Sequence, residues 1–135
     1  MSPKKFKTRS VARERHAIYL KKALEFIRAA DSAMQAEDWD AVGLNSVHAA
    51  ISAADALLVY YGGVRSTGDS HHDVAGLLAQ HVQGDELGSK IHTLSKVLGY
   101  KNLAAYEDRE VTSAEGREIE KLARRFLDWA RSRLA

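Results

Sequence analysis

WDAVGLNSVHAAISAADALLVYY, residues 39–61, is the stretch whose reading decides the fold. Wound as a helix, it is apolar around most of its circumference: Val42, Leu44, Val47, Ile51, Leu57 and Leu58 with alanines between them. A helix apolar nearly all round belongs inside a bundle, and the alanines from Ala49 to Ala56 let neighbouring helices approach closely. One stripe interrupts that surface. Asn45, His48, Ser52 and Asp55, spaced three, four and three, stack on a single face. On a helix this apolar the stripe is expected to be partly buried, and buried polar groups need partners, because an unpaired one costs about 1–3 kcal/mol. Asp38 is placed to cap this helix.

Outward from this centre the chain continues in helical period. Before it, Val11–Gln35 carries Ala17, Leu20, Leu24, Ile27 and Met34 at spacings of three and four, with Tyr19, Ala23, Phe26, Ala30 and Ala33 widening the face. After it, residues 62–69 break the pattern, and Ser70 with Asp73 reads as a capping box opening a short third helix that buries Val74, Leu77, Leu78 and His81. Gly84-Asp85 closes it. A fourth helix over 87–105 carries Leu87, Ile91, Leu94 and Leu98, and residues 107–111 form a charged loop. Thr112 and Glu115 make a second capping box before a last helix with the stripe Ile119, Leu122, Ala123, Phe126, Ala130 and Leu134. The single proline is Pro3, and no alternating run rich in Val, Ile or Thr supplies a sheet. The expected fold is all-α, an antiparallel up-down bundle of four to five helices. One domain spans 11–135 behind a basic arm without fixed structure over 1–10.

Its 135 residues suffice for a core without staples, and the absence of cysteine excludes disulfides, a thiol nucleophile and thiolate metal sites. No apolar run reads as the roughly 20 residues needed to span a bilayer and no signal peptide is seen, so a cytoplasmic location without membrane contact is expected. The net charge of +2 does not demand nucleic acid. Its distribution is uneven, however: Lys4, Lys5, Lys7, Arg9, Arg13 and Arg15 face only Glu14. Such an arm is usually solvated surface, though phosphate is its natural ligand. On the fourth helix the core stripe runs on from Leu94 and Leu98 to Lys101, beside Asn102, and a lysine there would pair with Asp55 or accept a phosphate.

Three separated segments resemble prokaryotic HEPN-domain proteins: Leu98-Gly-Tyr-Lys101-Asn102-Leu-Ala-Ala-Tyr106-Glu107, the run from His48 to Leu57, and Arg65-Ser66. The resemblance covers the chain from Ala17 to Leu134. It implies a four- or five-helix bundle that dimerises, acting in toxin–antitoxin-like settings, with a nucleotidyltransferase-type or antitoxin protein as partner and RNA or a nucleotide as ligand. RNase members of that family carry an arginine, then a polar residue, then a histidine about five residues after the arginine. The matching positions here are Lys101, Asn102 and Tyr106, so only the polar residue is kept. Tyrosine, with an ordinary pKa near 10, is a poor base for a ribose hydroxyl, and lysine lacks the bidentate fork of arginine. The resemblance therefore implies a binding module with weakened or absent RNase chemistry and a polar cleft of Lys101, Asn102, Tyr106, Asp55 and His48, with Ser52 and Asn45 on the same stripe.

The alternative is a metal-independent endoribonuclease in which Lys101 steadies the phosphate and His48 or His72 is the base. A more distant alternative is helix-turn-helix DNA binding through the third and fourth helices, although Asp85 and Glu86 would repel phosphate and Ser89, Lys90 and Thr93 suit base reading poorly. Asp69, His71, His72 and Asp73 lack the i, i+4 spacing of a shared zinc, so neither metal nor cofactor is expected. Arg65 with the amides opening the third helix makes a secondary anion site. Trp129 among Arg125, Arg131 and Arg133 reads as surface or as an interface.

Overall fold

A 3-10 turn over Arg13–Arg15 leads into α1, His16–Gln35, and a three-residue turn then delivers α2, Trp39–Gly62. There follow α3, His71–His81; α4, Leu87–Gly99; α5, Lys101–Tyr106; and α6, Ser113–Leu134. The computed structural model describes residues 6–68 and 71–134, with the side chains of His71 and His72 outside that description. The fold is the all-α bundle read from the sequence.

Helix α2 is the axis of the bundle. Val42, Val47, Ala49, Ala50, Ala53, Ala54, Leu57 and Leu58 are fully buried on it, and it packs against α1, α3, α4, α5 and α6. Among the described residues it is the one helix long and apolar enough to cross a membrane, with mean hydropathy 1.4, yet 78% of that stretch is buried inside the fold. The scattered polar residues had hidden that length of apolar helix in the sequence. Helix α1 runs antiparallel to it, since His16 meets Tyr60 at 4.9 Å and Phe26 meets His48 at 5.4 Å between ring centroids. Helix α6 runs parallel to α2. Its Gly116 lies against Trp39, where an added Cβ would stand 2.7 Å from the indole, and the Tyr61 hydroxyl donates to the Arg133 carbonyl at 2.6 Å.

The capping box of α6 forms as expected, with the Glu115 amide donating to Thr112 Oγ1 at 3.1 Å and the Thr112 amide to Glu115 Oε1 at 3.0 Å. The stripe behind it is buried from Ile119 to Ala130. The Ser70 half of the other box lies outside the described residues, while Val74, Leu77 and Leu78 of α3 are buried and His81 is half-buried.

Four expectations need correction. The Asp38 side chain makes no capping bond; its carbonyl takes the Val42 amide at 3.0 Å, and it is Asp40 that reaches out, accepting the Val111 amide at 2.8 Å. The helix expected over 87–105 is two, because at Tyr100 the amide bonds Val97, three residues back, the tight pitch that starts a new axis. The first helix begins at His16, not Val11. Finally, a small antiparallel ribbon exists: β1, Thr8–Ser10, pairs with β2, Val64–Ser66, in the register Arg9↔Arg65. Gly63, at φ +61, ends α2 in the left-handed conformation that turns the chain into β2. The ribbon sets three residues of the basic arm into the fold, and Val11 behind it is buried against Tyr19, Ala56 and Val59.

Candidate functional site

The polar stripe of α2 lies in a seam beside α1. Because the two helices are antiparallel, Tyr19, Lys22 and Phe26 of α1, spaced three and four, follow Asp55, Ser52 and His48 of α2 in order. Ser52 and Asp55 are buried, whereas Asn45 and His48 are half-buried. Asn45 spends its amide locally, donating to the Ala41 carbonyl at 2.9 Å.

At the lower end of the seam stands Lys101. Helix α5 packs on α2 where Gly43 offers no side chain, and a Cβ there would meet Ala104 at 3.3 Å. One turn before Ala104, Lys101 is half-buried and close enough to His48 to act on it electrostatically. Burial first, and the Lys101 charge second, hold the His48 imidazole below its ordinary pKa of 6.5. A neutral imidazole therefore sits beside a cation. Asn102 is exposed, and Tyr106 is 77% exposed on the rim of the same short helix.

The upper end holds Asp55, whose partner is Arg65, not Lys101. Arg65 Nε donates to Asp55 Oδ2 at 3.1 Å, and its guanidinium lies 5.3 Å from the Tyr19 ring centroid. Burial raises the Asp55 pKa above its ordinary 3.8 and outweighs the opposing pull of Arg65, Lys22 and Arg9. His48 and Asp55 are seven residues apart, about 10 Å along the axis. The expected single cleft is thus two cationic ends of one seam, with Asn102 and Tyr106 outside it. Helical period gave the face correctly but could not say which neighbour meets which end.

Other expectations fall elsewhere. Asp69 and the side chains of His71 and His72, the latter a candidate base, lie outside the described residues. Trp129 is no interface residue: it is buried, 5.7 Å from the Phe126 ring. Several cations of α6 are committed, Arg124 to Asp31 and Glu120 at 2.6–2.7 Å and Arg133 to the Gln83 carbonyl at 2.6 Å. In α4 the Thr93 hydroxyl donates to the Ser89 carbonyl at 3.1 Å, so it is spent within the helix a DNA reader would present. Two pockets, of about 340 Å³ beside Glu37, Trp39, Asp40 and Glu110 and about 370 Å³ beside Lys96, Tyr100 and Glu118, are lined by none of the seam's polar residues. Arg9 and Lys22 belong to the upper end and were not singled out with it; the positive run of the arm was the signal, but its strand pairing was invisible.

A family model described as HEPN domain matches residues 17–133, nearly the whole bundle, with Lys22, His48, Asp55, Arg65 and Lys101 inside the match and Arg9 before it. The chain belongs to the HEPN domain family. No curated protein matches it.

Proposed function

We propose that this HEPN domain is a dimeric binding and interaction module of the cytoplasm with weak or absent RNase chemistry, working with a nucleotide- or RNA-handling protein in a toxin–antitoxin-like pair. The observation that carries this reading is the makeup of α5. Lys101 and Asn102 take the first two positions of the arginine–polar–histidine pattern, and the third is Tyr106, 77% exposed and outside the seam. A cation can hold a phosphate there without a positioned proton acceptor on the same helix. Incubating the protein with mixed single-stranded RNA in chelator, beside a Lys101→Ala variant, tests the proposal. Intact RNA in both lanes supports it, and cleavage by the parent that the variant loses overturns it.

One observation favours the endoribonuclease as a second reading: His48, supplied by α2, stands in its neutral form beside Lys101. A base and a phosphate-holding cation from two helices would then replace the motif. The order arginine–polar–histidine also recurs at Arg65-Ser66 with His71 six residues on. If RNA is cut in chelator, His48→Ala, His71→Ala and His72→Ala assign the base.

A further inference from the structure

Strand β1 buries none of its own side chains. Thr8, Arg9 and Ser10 are all exposed, and among the described residues β1 packs against no element but β2. It is held extended from its two ends instead. Phe6 lies on Gly76 of α3, and Val11 is buried against Tyr19, Ala56 and Val59. The Val11 amide bonds the Gly63 carbonyl and the Thr67 amide the Lys7 carbonyl, both at 2.9 Å. Lys7, Arg9 and Val11 therefore turn their main-chain groups toward β2, and by antiparallel alternation Thr8 and Ser10 turn theirs outward. Among the described residues no backbone group outside the ribbon bonds them. An exposed row of N–H and C=O groups at strand spacing is a template for a further strand, and one anchored at both ends needs no ordering before it binds.

The charges say which strand fits. Arg9 and Arg65 are direct cross-strand partners, and like charges so placed destabilise a strand pair. Arg65 is offset by Asp55, whose Oδ2 accepts its Nε–H at 3.1 Å. Arg9 has the Tyr19 hydroxyl, 3.5 Å from its Nη2, and no acid. Among the described residues no carboxylate lies within ion-pair distance of Lys7, Arg9, Arg13 or Arg15. A second copy of β1 laid on this edge would set Lys7 and Arg9 against their own counterparts. RNA would meet the cations, but its phosphates would leave the outward amides unpaired in strand register and would be repelled by the outward carbonyls. A strand with acids at alternate positions satisfies both the main chain and the charge.

We infer that the outer edge of β1 is the docking site for an extended acidic segment of a partner protein, which adds to the ribbon as a further strand. Its main chain pairs with Thr8 and Ser10, and its carboxylates stand beside Lys7 and Arg9. The inference rests on the reading of this domain as an interaction module and names the surface its partner uses. RNA cleavage, which decides that reading, plays no part in the test.

Fluorescence anisotropy on the full chain with a labelled octapeptide alternating glutamate and threonine supplies that test. The peptide should bind about tenfold more tightly than its lysine–threonine counterpart, the worth of one or two charge-assisted hydrogen bonds. Ser10→Pro removes an outward N–H from an edge strand, where proline is tolerated, and should weaken binding about tenfold, whereas Ser10→Ala keeps it. In amide-exchange NMR on the unaltered chain, the peptide should slow exchange at Thr8 and Ser10. No binding, equal affinity for the two peptides, or affinity unchanged in Ser10→Pro overturns the inference. So does slowing of those two amides by single-stranded RNA and not by the peptide, which would assign the edge to nucleic acid.

Discussion

Replacing Arg65 by alanine strips Asp55 of the group that compensates its burial. The Asp55 side chain is 7% exposed and that of Arg65 39%, so the carboxylate would be left nearly dry while the guanidinium was half in water to begin with. Breaking a fully buried pair costs about 3–5 kcal/mol. With one partner partly solvated, and with Lys22 and Arg9 still near the carboxylate, the loss should be about 2 kcal/mol. For a domain of this size that is a shift of about 1 M in the urea midpoint. The pH dependence identifies the cause. Because the folded pKa of Asp55 lies above its unfolded 3.8, the folded state holds the proton more tightly. Its contribution favours folding in acid and is lost as the pH rises through the folded value. Without Arg65 that value rises further. Urea titrations followed by helical circular dichroism should thus find Arg65→Ala hurt more in neutral than in mildly acidic buffer, and Asp55→Asn in the same chain should restore part of the loss. An equal shift in both buffers, or none, would refute the reasoning.

Thr112→Ala removes one half of the capping box and should cost about 1 kcal/mol in thermal or urea unfolding. Arg109 and the Thr112 amide hold the Glu115 pKa at about 2, below its ordinary 4.5, so its contribution is present above 4.5 and lost as the pH falls toward 2; Glu115→Gln should flatten the acid limb of a stability titration. Gly116→Ala drives a methyl into Trp39, and overpacking of about 1–3 kcal/mol should outweigh the helix propensity gained, read as a lowered Tm. The His48 imidazole, followed by NMR, should titrate below 6.5 and move upward in Lys101→Met; since its folded pKa is depressed, it weakens the fold as the pH drops below 6.5.

What was legible in the sequence was local. The stripe from Ile119 to Ala130 and the Thr112–Glu115 box are set by residues a turn apart, and they stand as read. Long-range pairing was not legible. Lys101 was read as a partner for Asp55 or for a phosphate because period names a face and not a neighbour, and the choice of Arg65 depends on a left-handed Gly63 and a ribbon whose strands, Thr8-Arg9-Ser10 and Val64-Arg65-Ser66, carry no apolar alternation. The break at Tyr100 likewise had no breaker beyond Gly99, a residue that helices tolerate. Trp129 was misread because arginines on one side of a helix conceal what lies on the other.

Because α2 packs against every other helix of the bundle, its amides should be among the slowest to exchange, released only when the whole domain opens. The residues of the seam that sit on it are therefore stationary on the timescale of binding. Whatever tunes the site has to work from its margins, the ribbon strand bearing Arg9, the start of α1 and the six-residue α5. Those are shallow elements that can loosen separately, so control of this domain is a matter of its edges moving over a fixed bed.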